Sequence, residues 1–212
     1  MPVRQAVRRT SRSRKREIEP VLQFLVILSG TDPLVWRRIQ VPGSYTFWDL
    51  HVAIQDAMGW LDYHLHEFQV WNAKRRRLEH LGIPDDDELG QLDRAGWDVP
   101  ILPLVQDTDM PMQYKYDFGD TWRHVVMFET YAARDPSARY PLCIAGARKC
   151  PPEDCGGVHG FETFLAAIRN KRHPEHKSYL VWVGGSYDPD EFDPRRVHFD
   201  DPAERFEIAM ED

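Results

Sequence analysis

Met112-Gln113-Tyr114-Lys115-Tyr116-Asp117-Phe118-Gly119-Asp120-Thr121-Trp122-Arg123-His124-Val125-Val126-Met127-Phe128 lies just past the middle of the chain. Large apolar residues alternate with polar ones on both sides of a turn-forming centre, the mark of a β-hairpin with one buried face. A two-residue loop would pair Asp117 with Trp122 and mix the faces. A three-residue loop, Gly119-Asp120-Thr121, pairs Phe118 with Trp122, Tyr116 with His124 and Tyr114 with Val126, and keeps one face apolar. It also sets Asp117 opposite Arg123 as a cross-strand ion pair.

Upstream, residues 21–28 (VLQFLVIL) and 34–41 (LVWRRIQV) read as strands joined by the turn Ser29-Gly30-Thr31-Asp32-Pro33. A helix follows. Thr46 is its N-cap, Asp49 its capping-box partner and Gly59 its stop, with Phe47, Leu50, Ile54, Ala57 and Met58 at helical spacing. Residues 64–71 alternate as a further strand. Residues 74–88, basic at 74–77 and acidic at Asp85-Asp86-Asp87-Glu88, read as a surface loop, and residues 98–106 as a weak helical turn.

Downstream, residues 139–157 read as a loop rich in Pro and Cys. Helices are expected over 159–170 and 174–184, and a third is expected to start with Asp188 as N-cap, Pro189 next and Glu191 as capping-box partner. Strands come first and helices cluster late, so the fold class is α+β: an antiparallel sheet of about five strands with helices packed on one side. The division is a disordered basic tail over 1–17, a single domain over 18–200, and an acidic, frayed C-terminus over 201–212.

The chain has 212 residues, of which 42% are hydrophobic, enough for a large core. Its charge is unevenly spread. Residues 1–16 hold seven basic side chains and no acid, while the remainder carries 20 basic and 34 acidic residues, a net of −14. An acidic body repels nucleic-acid phosphates and a basic tail attracts them. No apolar stretch follows the arginines, which excludes a secretory signal, and no apolar run is long enough to span a membrane. Three cysteines without an export signal point to a reducing compartment, and the expected location is cytoplasmic.

Four ordered segments carry a resemblance: Pro33-Leu34-Val35-Trp36-Arg37-Arg38-Ile39; Met58-Gly59-Trp60 with His64-Leu65-His66-Glu67-Phe68; Tyr116-Asp117-Phe118-Gly119-Asp120 with Trp122 and His124; and Cys150-Pro151-Pro152-Glu153-Asp154-Cys155-Gly156-Gly157 with Gly160-Phe161. Over about residues 20–200 the chain resembles the plasmid pRiA4b ORF-3-like family. The resemblance implies an α+β fold and an association with plasmids and insertion sequences, and supplies no mechanism. Two departures stand out. The family usually has Gly where Thr121 stands, at a loop position that often needs a left-handed backbone, and often has an aromatic residue where His159 stands.

Three constellations are chemically suggestive. Cys143, Cys150, Cys155 and His159 have a C-x6-C-x4-C-x3-H spacing that suits tetrahedral zinc; the alternative is small buried thiols in a tight loop. His64, His66, Asp120 and His124 would make an open metal site if the two strands meet, with Glu67 or Glu153 as general base; the alternative is histidines bonded within an apolar face. Nucleic-acid contacts would come from Arg8, Arg9, Arg12, Arg14, Lys15 and Arg16 of the tail and from Arg75, Arg76 and Arg77. Arg37 and Arg38 fall on opposite faces of their strand and cannot form one patch.

Asp117-Phe118-Gly119 spells a kinase tripeptide but lacks the kinase glycine-rich and catalytic loops. There is no phosphate-binding glycine loop and no nucleophile elbow. The resulting expectation is a non-enzymatic accessory module that binds protein or nucleic acid, with a metal-dependent hydrolase or nuclease as the alternative.

Overall fold

A computed structural model of the chain describes residues 19–84 and 92–211. Its strands are β1 (Val21–Leu28), β2 (Val35–Pro42), β3 (His66–Asn72), β4 (Arg77–Gly82), β5 (Arg94–Ala95), β6 (Met112–Tyr116), β7 (Trp122–Ala132) and β8 (Leu142–Ala147). They form one sheet in the order β5-β4-β3-β6-β7-β1-β2-β8. All neighbours are antiparallel except β4 and β5, which are parallel. The class is α+β, but the sheet has eight strands and is mixed, in place of the expected five antiparallel ones.

The helices are α1 (Phe47–Met58), α2 (Leu102–Val105), α3 (Gly157–Arg169), α4 (His176–Trp182) and α5 (Pro202–Glu211). α1 begins and ends as its sequence dictates. The Thr46 side chain accepts from the Asp49 N–H, the Asp49 carboxylate accepts from the Thr46 N–H, and Gly59 closes the helix at φ 84°.

Strand alternation builds the core. Phe24, Val26, Ile39, Phe68, Tyr114 and Trp122 point from one face of the sheet and are completely buried in a cluster with Phe47, Leu50 and Ile54 of α1 and Phe164 of α3. Each such side chain is worth about 1.5–3 kcal/mol on leaving water. The residues between them, among them Gln23, Arg38, Gln113, Arg123 and Met127, lie on the opposite, partly exposed face.

The hairpin keeps its expected faces in a different register. Tyr116 pairs with Trp122, Tyr114 with His124 and Met112 with Val126, so the loop is five residues long, 117–121. Asp117 does not meet Arg123. Its Oδ1 instead accepts the N–H groups of Gly119 and Asp120 at 2.8 and 3.2 Å, folding the loop back on itself. Thr121 is left-handed at φ 58°, the conformation its position demands of a residue ill suited to it.

Other expectations change too. Residues 142–147 form β8 against β2, so β2 is an interior strand. Asp188 caps a turn, its Oδ1 accepting from Asp190 N–H, and no helix follows it; the next regular element is a short 3-10 turn at Pro194–Arg196. The C-terminal segment is helical over Pro202–Glu211. Its first half is anchored: the Trp48 indole donates to the Pro202 carbonyl at 2.8 Å, and Phe206 packs edge-on against Trp48 and Trp97. The basic tail 1–17 and the acidic run 85–88 lie outside the described residues.

Candidate functional site

Three loops meet at one end of β3 and β6. The first runs from α1 to β3, where Gly59 ends the helix and the Trp60 indole donates to the Pro151 carbonyl at 2.9 Å. The second is the 117–121 hairpin loop, and the third is the stretch 150–157 that leads into α3. Asp120 Oδ2 accepts from Gly156 N–H at 3.0 Å and locks the second to the third. Gly157 permits this approach, because a Cβ there would stand 2.6 Å from the Asp120 carbonyl oxygen.

Each loop contributes one donor. His64 Nε2 lies 3.0 Å from Asp154 Oδ1 and 3.6 Å from Asp117 Oδ2, and the three donor atoms all fall within 4.8 Å of one another. Asp117 holds its position because Oδ1 is committed to the loop N–H groups, leaving Oδ2 for His64. The side chains grade from 8% exposed at Asp117 through 30% at His64 to 67% at Asp154, so the group has a buried floor and an open mouth. Asp117 and Asp154 are both left-handed, at φ 56°, as is nearby Asp62 at 61°. Such conformations cost energy and concentrate at functional sites.

Glu153 stands beside this group. Its Oε1 accepts from the Leu61 N–H at 2.9 Å and the Tyr116 hydroxyl at 3.0 Å, while Oε2 is buried without a partner. Burial raises its pKa above the ordinary glutamate value, against the pull of the Leu61 and Tyr116 hydrogen bonds and of His64. One imidazole and two carboxylates with one side open can bind a divalent ion and leave room for water. Ligands on one ion at about 2.0–2.2 Å stand roughly 3–3.5 Å apart, so binding would draw the trio inward by about an ångström.

The other sequence candidates do not converge with His64. His66 is 2% exposed and stacked on His51 with ring centroids 3.5 Å apart. Burial and the neighbouring His51 push its pKa well below the ordinary value. His124 is fully buried, with Nδ1 at 3.3 Å from the Tyr114 carbonyl, and burial lowers it to about 3. The Tyr114 ring lies near both histidines, at 6.1 Å from His66 and 5.1 Å from His124. Glu67 points to the opposite face of the sheet and pairs with His80.

Nor do the thiols form a shell. Cys143 lies on β8 with its thiol toward the Ala145 carbonyl, and burial raises the thiols of Cys150 and Cys155, the latter to about 12. The His159 side chain is 93% exposed beside Glu162. Among the described residues, His64, Asp117 and Asp154 are the one group bringing three donors of these kinds within reach of an ion. Of the basic run, Arg75 pairs with Glu79 and Arg77 with Asp93, each at 2.9 Å, and Arg76 occupies an exposed left-handed turn position.

Sequence reasoning named His64 and Glu153 and missed Asp117 and Asp154. The available signal was aspartate's tolerance of the left-handed backbone at turns. It also missed a buried ionic network behind the site. His51 of α1 lies 2.8 Å from the Tyr114 hydroxyl and 2.9 Å from Asp62. Arg205 of α5 donates to Asp62 at 2.9 Å and Asp200 at 2.8 Å, and reaches Asp56 at 3.5 Å. Burial raises Asp56 to about 6. Burial alone would raise Asp62 as well, but His51 and Arg205 outweigh it and bring that carboxyl down to about 2.

Among the described residues no helix is long and apolar enough to cross a membrane. An uncharacterized protein of Sinorhizobium fredii, y4hQ, is 36% identical over 171 residues, covering 80% of this chain and 84% of its own length. The crystal structure of a protein of unknown function from Methanosarcina mazei Go1 superposes with a TM-score of 0.77 at 39% identity, covering 85% of this chain and 99% of the other. The family model described as plasmid pRiA4b ORF-3-like protein matches residues 20–196, the stretch that runs from the start of β1 through every segment of the three-loop site. The chain therefore belongs to the plasmid pRiA4b ORF-3-like family.

Proposed function

We propose that this protein binds a divalent transition-metal ion through His64, Asp117 and Asp154 and uses it for hydrolysis. The observation that carries the reading is the meeting of one imidazole and two carboxylates from three separate loops within 4.8 Å, open to solvent on one side. A ligand set of mixed nitrogen and oxygen suits zinc or manganese. The ion would hold a water on its open side and lower that water's pKa toward neutrality. Glu153, its pKa raised by burial and its carboxylate oriented by Tyr116 and Leu61, is the neighbouring group placed to exchange a proton.

The test is calorimetric titration of untagged full-length protein with zinc and with manganese, beside His64→Ala and Asp117→Asn. Stoichiometric binding lost in both variants supports the centre. Hydrolysis of bis-p-nitrophenyl phosphate or p-nitrophenyl acetate, dependent on the same residues, supports the chemistry. Absence of binding for both metals would reduce the trio to an ion-paired clasp between loops.

A second reading, a nucleic-acid-binding module, is favoured by the charge division: seven basic side chains in residues 1–16 ahead of a remainder at net −14. Its support is electrostatic and calls for steep salt dependence. Equal affinity and equal salt slope after deletion of residues 1–16 would remove it.

A further inference from the structure

A second feature of the molecule lies in a groove of about 450 Å³ between the end of α1 and the segment 191–198, lined in part by Arg37, Met58, Trp60, Lys149, Phe192 and Val197. Arg37 is 1% exposed, yet no carboxylate among the described residues pairs with it. Its Nε donates to the Ala57 carbonyl at 2.7 Å, in the last turn of α1, and Nη1 donates to the carbonyls of Trp36 and Ala147 at 2.8 and 3.0 Å. These carbonyls hold the side chain in place but carry only partial charge, about half a unit for a whole helix end. The Phe192 ring covers the guanidinium, 3.7 Å from Cζ to the ring centroid. Among the described residues no hydrogen bond engages Nη2.

A buried cation without a counter-charge is expensive. The acids around the groove do not relieve it, because each is engaged elsewhere: Glu191 with Arg196, Asp193 with Arg195, and Asp56 with Arg205. Lys149, on the same wall, also has no carboxylate partner among the described residues and sits over the Tyr187 ring. Two cations without acids therefore face one cavity whose remaining walls include Met58, Trp60, Leu61 and Val197. Its volume is that of a small-molecule site, and convergent polar groups in an apolar cleft are the usual form of one.

We infer that this groove binds a small organic oxyanion, its charged group held by Arg37 and Lys149 and its apolar body lying along Met58, Trp60 and Phe192. The site shares no ligand residue with the metal trio and does not depend on it.

Calorimetric titration of the full-length protein with acetate, hexanoate and inorganic phosphate tests the inference. Hexanoate should bind tighter than acetate, by up to about fourfold for each methylene that is buried. Lys149→Gln should weaken hexanoate by about tenfold or more, the scale of one charge-assisted hydrogen bond, without changing the melting temperature. Arg37→Lys, which keeps the charge and loses the fork, should weaken it further if the variant folds. Three results would overturn the proposal: no heat with any of the three anions, equal affinities for acetate and hexanoate, or hexanoate binding that Lys149→Gln leaves unchanged.

Discussion

Arg205→Met removes one cation from a partly buried network and leaves three carboxylates behind, Asp56 and Asp62 largely buried and Asp200 more exposed. Arg205 is 17% exposed in its side chain, Asp62 11% and Asp56 6%. Removing one partner of a fully buried pair costs about 3–5 kcal/mol, most of it the penalty on the stranded charge. Partial exposure of Arg205 trims this, so the expected loss at pH 7.5 is about 2–3 kcal/mol, or roughly 5–10 °C in melting temperature for a chain of this size. The loss should depend on pH in a definite direction. Asp56 is raised in the fold to about 6, so its protonated form favours folding, and that contribution fades as pH rises through 6. Asp62, lowered to about 2, stays ionised throughout the range tested. Without Arg205 the Asp56 carboxyl rises further, so the deficit of the variant should shrink by on the order of 1 kcal/mol between pH 8 and pH 5. Urea denaturation followed by tryptophan fluorescence at both pH values reads this directly. A deficit that is the same at pH 5 and pH 8, or one below about 0.5 kcal/mol, would refute the network's role.

Tyr114→Phe takes away a hydroxyl bonded to Gln55 at 2.7 Å and facing His51 at 2.8 Å in a fully buried setting; a loss of about 2–3 kcal/mol in urea denaturation is expected. Thr121→Gly relieves a β-branched residue held at φ 58° and should gain about 0.5–1 kcal/mol, less any contribution from the Thr121 hydroxyl bond to the Phe118 carbonyl; a lower melting temperature would contradict that account. At pH 8 the native thiol of Cys155, raised to about 12, should alkylate about a thousandfold more slowly than an exposed cysteine, and fast stoichiometric labelling by mass spectrometry would contradict its burial.

The parts of the fold legible in the sequence are those where one local rule dominates. Thr46, Asp49 and Gly59 marked the ends of α1 because cap chemistry is local. Alternation sorted the hairpin faces correctly, since a register error of two residues leaves every side chain on its own face. The register itself was hidden because Asp117 spends its carboxylate on loop N–H groups, which composition does not announce. β8 was invisible for a different reason: Leu142, Cys143, Ile144, Ala145, Gly146 and Ala147 show no alternation and owe their strand to β2 beside them. β4 was concealed by its charges, since Glu79 is buried only because Arg75 and Arg94 reach it. The site was half legible. His64 stood out by type, whereas Asp117 and Asp154 reach it only because three loops fold onto one corner, a tertiary fact with no counterpart in spacing.

The sheet order has a consequence for how the chain is made. β1 is near the beginning of the sequence yet lies in the middle of the sheet, with Val21 opposite Pro42 on one side and Ala132 on the other. The β1–β2 hairpin can close as soon as it leaves the ribosome, but its two open edges then wait for β7 and β8. At synthesis rates of about 5–20 residues per second, that wait is on the order of ten seconds. Throughout it, Phe24, Val26 and Ile39 can meet α1, which follows β2 directly, but not the strands that complete the sheet beside them. A nascent chain of this topology presents an unpaired, hydrophobic strand edge for far longer than its local turns take to form, and that interval is when it is most exposed to mispairing.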